Sequence, residues 1–307
     1  MRAALTGLCL LSIVGCVSPQ QQAGNGTVTP RWLSRLVQAC ETDDASACFE
    51  LALVFRAGDR VPADPARAAR LFNQACHNDL PRACIGLGDL YATGKGVASN
   101  PERAAALYQH ACAEGDLVGC VSLGAIFIDR YGDEDRLRRA HGLFDTACGL
   151  GEMRGCTALG RMLESGLMVE QDLNAARTQY ERSCDADHMA GCTYLGELLL
   201  GPFRADGTPD YAFTLFHRAC LAGEARGCDQ MGLMYLSGDG VNADAFAAAY
   251  HFARSCGGDF AQGCVHLAIA FELGQGVEQN QVRATELYAK ACSLGLRQAC
   301  ERASAAI

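Results

Sequence analysis

The sequence predicts an all-α protein, an α/α solenoid of stacked helical pairs, and three observations carry that reading. Sixteen of the eighteen cysteines fall on one ruler: Cys40, Cys76, Cys112, Cys148, Cys184, Cys220, Cys256 and Cys292 stand 36 residues apart, each with a partner eight positions on. Apolar columns recur at the same period and, within a unit, at the i and i+4 spacing of one helix face. Glycine pairs such as Gly94 and Gly96, Gly238 and Gly240, and Gly274 and Gly276 punctuate the units. A fixed period of this size denotes one small unit stacked many times, each burying its apolar face against its neighbours.

The first residues read as an export signal. Arg2 supplies a positive start and Leu5 to Val14 a short apolar run, too short to cross a bilayer. The run ends in Ile13-Val14-Gly15-Cys16, which resembles the bacterial lipobox. That resemblance implies a lipoprotein signal peptide over 1–15 and lipid attachment at Cys16; an ordinary secretory signal is the rival reading. Val17 stands where many inner-membrane lipoproteins carry aspartate, so the expected location is the outer membrane or periplasm, with secretion as the alternative. Residues 16–30, rich in Gln, Gly, Thr and Pro, carry no apolar period and read as a lipidated, flexible linker.

The folded body is expected over 31–307, beginning with a lone helix B from Arg31 to Cys40. Helix B of later units carries Ala68, Ala104, Ala140, Ala176, Ala212, Ala248 and Ala284 in one column. Four residues on comes an aromatic in every unit: Phe72, Tyr108, Phe144, Tyr180, Phe216, Phe252 and Tyr288. Small beside large on one face lets a neighbouring helix approach at the alanine. Helix A is expected after the second cysteine. Its column of Leu51, Leu87, Leu123, Leu159, Leu195, Met231 and Leu267 is followed by Ala52, Gly88, Gly124, Gly160, Gly196, Gly232 and Ala268. Glycine costs a helix about 1 kcal/mol relative to alanine, so five glycines in register predict close helix contact. The unit is helix A, Gly-rich turn, helix B and a short bridged link. Seven full 36-residue repeats lie between the lone helix B and a closing helix A fragment, Ala299 to Ala305.

Cys9 falls in the signal and Cys16 at the lipid site, leaving sixteen cysteines in the body. In an exported chain these are expected as disulfides. Seven intervening residues do not fit the spacing of zinc ligands, so no metal or cofactor is expected. Pairing across the helical hairpin, Cys48 with Cys76 and onward, would strand Cys40 and Cys300. Local pairing uses every cysteine: Cys40–Cys48, Cys76–Cys84, Cys112–Cys120, Cys148–Cys156, Cys184–Cys192, Cys220–Cys228, Cys256–Cys264 and Cys292–Cys300. Local pairing is therefore the expectation.

The run Leu87-Gly88-Asp89-Leu90-Tyr91-Ala92-Thr93-Gly94-Lys95-Gly96-Val97, followed by Arg103-Ala104 and Leu107-Tyr108, is similar to the Sel-one-like repeat, a relative of the tetratricopeptide repeat. Met231-Gly232 through Gly240-Val241 matches almost as well. The cysteine pairs resemble the Helicobacter cysteine-rich protein family, secreted proteins of such repeats with one disulfide each. The resemblance covers 31–307 and implies a right-handed superhelix with helices A lining a concave face. It also implies two functions, a protein-binding scaffold or weak binding and hydrolysis of β-lactams, since members of the cysteine-rich family are commonly labelled β-lactamases. The third and fifth repeats depart from the pattern. Arg130-Tyr131-Gly132-Asp133-Glu134-Asp135 and Gly201-Pro202-Phe203-Arg204 replace the glycine turn, so those turns are expected to differ.

Catalytic sets are missing from the sequence. The two lysines, Lys95 and Lys290, do not follow a serine at the Ser-x-x-Lys spacing of serine β-lactamases. The seven histidines form neither His-x-His nor His-Glu-x-x-His; His217, His251 and His266 read as surface or satisfied core residues. A formal charge of -9 disfavours nucleic acid. By analogy with tetratricopeptide repeats, two helix A columns face the groove: Leu53, Asp89, Ala125, Arg161, Glu197, Leu233 and Ile269, and Arg56, Ala92, Ile128, Glu164, Leu200, Leu236 and Glu272. Their mixed chemistry nominates Asp89, Arg161, Glu164, Glu197, Leu233 and Leu236 as binding residues. The leading reading is a non-enzymatic cell-envelope scaffold that binds a protein or peptide. The alternative is a binder of β-lactams or peptidoglycan fragments with weak β-lactamase activity.

Overall fold

The structure, a computed structural model, describes residues 30–58, 60–131, 133–203 and 208–304. The expected signal peptide, Cys16 and all of the linker but Pro30 lie outside them. The described residues form sixteen helices and no strand. The B positions are α1 (Arg31–Glu41), α3 (Pro65–His77), α5 (Pro101–Ala113), α7 (Glu134–Gly149), α9 (Leu173–Asp185), α11 (Thr208–Leu221), α13 (Ala245–Gly257) and α15 (Gln281–Ser293). The A positions are α2 (Ala45–Ala57), α4 (Pro81–Thr93), α6 (Leu117–Tyr131), α8 (Met153–Ser165), α10 (Met189–Leu200), α12 (Ala225–Ser237), α14 (Ala261–Leu273) and α16 (Arg297–Ser304). Seven A–B pairs thus follow the lone α1, and α16 closes the stack.

Local chemistry sets the helix ends. Asp64, Asn100, Asp172 and Asn280 cap α3, α5, α9 and α15, each accepting a backbone N–H three residues on at 2.8–2.9 Å. Gly58, Gly94, Gly166, Gly238 and Gly274 end helices A in the left-handed conformation. Helices A begin earlier than the sequence reading placed them. Each from α2 to α14 starts three residues before its second cysteine, and α16 starts at Arg297, not Ala299. The cause is the tightness of the B–A link. It passes through one left-handed residue, always aspartate or glycine: Asp43, Asp79, Gly115, Gly151, Asp187, Gly223, Asp259 and Gly295. Both cysteines are therefore helical, and each disulfide ties the end of one helix B to the first turn of the next helix A. All eight bonds join cysteines eight apart, with Cα atoms 4.4–4.8 Å apart.

Packing follows the columns. The alanine column is buried to 1% exposure or less, and Phe72, Tyr180 and Phe216 are wholly buried. Each glycine of the column after Leu/Met receives the ring of the next helix B: Gly88 meets Tyr108, Gly124 Phe144, Gly160 Tyr180, Gly196 Phe216 and Gly232 Phe252. A Cβ at any of these glycines would stand inside van der Waals contact of the ring. Ring and glycine thus explain each other.

Successive helices A from α4 to α14 also approach one another directly, whereas successive helices B do not approach to the same degree. Helices A therefore line the inner face and helices B the outer. In the third repeat α6 and α7 lengthen to 15 and 16 residues and leave little room for a turn. In the fifth, Gly201 follows α10 outside the left-handed region.

Candidate functional site

A depression of about 730 Å³ opens on the inner face across α6, α8, α10 and α12. Its volume falls within the range typical of small-molecule and cofactor pockets. One column explains where it lies. Gly86, Ser122 and Ala158 occupy equivalent positions on α4, α6 and α8, whereas Tyr194, Gln230 and His266 fill that position on α10, α12 and α14. Small residues leave space over α6 and α8, and Tyr194 closes it on one side. Ala125, Ala158 and Met162 supply apolar lining; Arg154, Arg161, Glu164, His188, Glu197 and Arg226 supply the polar groups.

The wall at α10 and α12 is a fixed polar assembly. Arg226 donates to both oxygens of Glu197, from Nε at 2.7 Å and Nη2 at 2.6 Å, and its Nη1 donates to the Tyr194 hydroxyl at 3.1 Å. Gln230 Nε2 adds a third donor to Glu197 at 2.8 Å. Burial pushes the Glu197 carboxyl above the usual range, and the Arg226 contacts pull it back only in part. The Tyr194 ring lies 4.6 Å from the Arg226 guanidinium and 5.3 Å from that of Arg161, and it stacks on Tyr180 at 5.5 Å. His188, at the start of α10, is held below the usual histidine range by burial and then by the charge of Arg154.

The six residues nominated from sequence divide. Arg161, Glu164 and Glu197 come together in the depression. Asp89 lies outside it and accepts the Tyr108 hydroxyl at 2.8 Å. Leu233 is half-buried against the C-terminal core. Leu236 lines a separate, apolar depression of about 110 Å³ with Ile269 and Phe252. Glu164 has a packing role as well, accepting the Tyr180 hydroxyl at 2.6 Å, and Glu272 accepts that of Tyr288 at 2.8 Å. Each of the three tyrosines in the aromatic column thus finds a helix A carboxylate. Burial, reinforced by these carboxylates, pushes the Tyr108 and Tyr180 hydroxyls far up, and that of Tyr288 to about 12.

The three histidines singled out in sequence are engaged. His266 Nδ1 stands 2.8 Å from the buried Asp229, His251 stacks on Tyr235, and His217 stacks on Phe213. Sequence reasoning missed Arg154, His188, Tyr194 and Arg226. A signal for the arginines was present, since Arg82, Arg154 and Arg226 share one column in alternate repeats.

The Sel1 repeat profile matches residues 45–80, 81–116, 154–188, 190–224, 225–258 and 261–296, together more than half the chain. The third repeat, with the altered turn, falls in the gap between matches. No curated protein matches the chain. Among solved structures, a Sel1 repeat protein from Oxalobacter formigenes is 22% identical, with a TM-score of 0.53, covering 88% of this chain and 78% of that one. A protective antigen present in uropathogenic Escherichia coli strains, displaying an SLR fold, is also 22% identical, with a TM-score of 0.52 over 88% of this chain. This chain spans only 58% of that antigen's length. Helicobacter pylori cysteine rich protein B is 29% identical, covering 43% of this chain and 94% of its own, with a TM-score of 0.36. The first two likenesses show the fold.

Proposed function

Because the chain belongs to the Sel1 repeat family, a family of protein-interaction scaffolds, we propose that it is a non-enzymatic scaffold of the cell envelope that binds a protein or peptide segment on its inner face. The observation that carries this reading is the depression over α8, where three of the residues nominated from sequence meet a preformed wall of Tyr194, Glu197 and Arg226. A wall whose side chains are already fixed by one another loses little freedom on binding. The eight disulfides support an oxidising compartment. Among the described residues no helix is long and apolar enough to cross a membrane. Attachment is assigned to lipid at Cys16, so Cys16→Ser is expected to move the protein from the membrane fraction to the soluble one; unchanged partition would remove the anchor.

Filling the depression tests the binding site. Ala158→Tyr places on α8 the residue that α10 already carries at the equivalent position, Tyr194, so the fold has room for it by example. The expected result is at least a tenfold loss of the partner captured from an envelope extract, with an unchanged helical spectrum and melting temperature. Capture equal to wild type by the folded variant would refute the reading.

A further inference from the structure

The depression carries opposite charges toward the two ends of α8. Arg154 sits in the first turn of α8 and Glu164 in its last, while Asp129 sits in the last turn of α6. The backbone at both ends of α8 is capped: Glu152 accepts the Arg154 backbone N–H, and the carbonyls of Met162, Leu163 and Glu164 accept from Gly166, Asp172 and Gln171.

Arg154 also lacks what its equivalents have. Arg82 lies over Phe49 at 5.3 Å and Arg226 over Tyr194 at 4.6 Å. The corresponding positions before α8 are Val121 and Ser122, so among the described residues no ring lies under Arg154 as Phe49 lies under Arg82. Its ion pair with Glu152 is long, at 3.9 Å. The guanidinium lines the depression, close enough to His188 and to Asp89 for its charge to act on both. At the opposite end, Glu164 Oε2 accepts the Tyr180 hydroxyl, and Oε1 accepts no hydrogen bond from the described residues. Ten residues of helix separate Arg154 from Glu164, about 15 Å at about 1.5 Å per residue. An extended peptide advances about 3.3–3.6 Å per residue, so about four residues span that distance.

We propose that the depression binds a short oligopeptide of about four residues with both termini free, its carboxylate on Arg154 and its ammonium on Glu164 and Asp129. The inference rests on the reading of the inner face as a peptide site. It adds that the ligand lies across the groove, along α8, and that the termini themselves are recognised. Arg161, over the Tyr194 ring between the two ends, is placed to donate to the ligand's backbone carbonyls.

The test uses an equimolar mixture of tetrapeptides with free termini, alongside the same mixture N-acetylated or C-amidated. Tyr194 ring and arginine side-chain resonances of the folded protein are followed by NMR. The free mixture is expected to shift them, and capping either end to raise the half-saturating concentration at least tenfold. In Arg154→Gln the amidated and free mixtures should bind alike; in Glu164→Gln, whose amide oxygen still accepts from Tyr180, the acetylated and free mixtures should. Absence of shifts, or binding indifferent to capping, would overturn the proposal. If it is overturned while Ala158→Tyr still abolishes capture, the broader peptide-binding reading stands; if Ala158→Tyr also leaves capture intact, both fall.

Discussion

Gly196 and Phe216 show how single residues set this stack. The glycine has no side chain because the ring occupies the place a Cβ would take, and the ring is wholly buried because the glycine admits it. Gly196→Ala should therefore act as an overpacking substitution and destabilise by about 1–3 kcal/mol, read from the denaturant midpoint at constant slope. Close helix contact at the glycine was legible in sequence, since glycine inside a helix needs a reason, whereas the ring that fills it was not, because the aromatic column was read against the alanine column. The tyrosine partners were legible too, though missed: Tyr108, Tyr180 and Tyr288 occur in the repeats that carry Asp89, Glu164 and Glu272. Other residue-scale contacts were not legible. Asp229 and His266 stand 37 residues apart, and nothing in either helix alone announces their bond.

Charge at this scale yields a pH dependence. His188 and His251 are both lowered, chiefly by burial, with Arg154 acting on the first and Arg254 and His217 on the second. The unfolded chain then binds more protons than the folded one below the ordinary histidine value of about 6.5. Stability from these groups is full above that value. It is lost as pH falls toward their lowered folded-state values. Urea midpoints should drop between pH 7 and pH 5, and the double variant His188→Gln with His251→Gln should show a smaller drop.

At the scale of the element, the unit is a helical hairpin stapled to the next. Chain-entropy reasoning gives about 2.5 kcal/mol for closing so short a loop by a disulfide. In a stack where each unit touches only its neighbours, the loss should be local. Replacing Cys184 and Cys192 by serine should raise amide exchange in α9 and α10 by one to two orders of magnitude and leave α2 to α4 near wild type. Uniform exchange changes along the chain would contradict the nearest-neighbour picture. The helical pairs and their order were readable from the columns because a helix face repeats every three to four residues. The start of helix A was misplaced because the Asp/Gly column at the link, Asp43 through Gly295, is a backbone signal rather than an apolar one. Only with its left-handed residue recognised does the link shrink to a few residues.

For the whole molecule, periodicity revealed that units stack. What it hid is where the stack departs from itself. The depression over α8 arises because one column is small in three repeats, at Gly86, Ser122 and Ala158, and large in the next, at Tyr194. Its chemistry arises because the arginine at position 154 follows a repeat without an aromatic beneath it. A periodic reading averages over such differences, and function on a repeat scaffold lives in them. The most direct test of this account is a photo-cross-linking map with benzoylphenylalanine placed singly at Ala125, on the rim of the depression, and at Asp145, exposed on helix α7 of the outer face. The account predicts that a partner peptide or protein is captured covalently from Ala125 and not from Asp145. Equal capture at both positions, or capture from Asp145 alone, would contradict it.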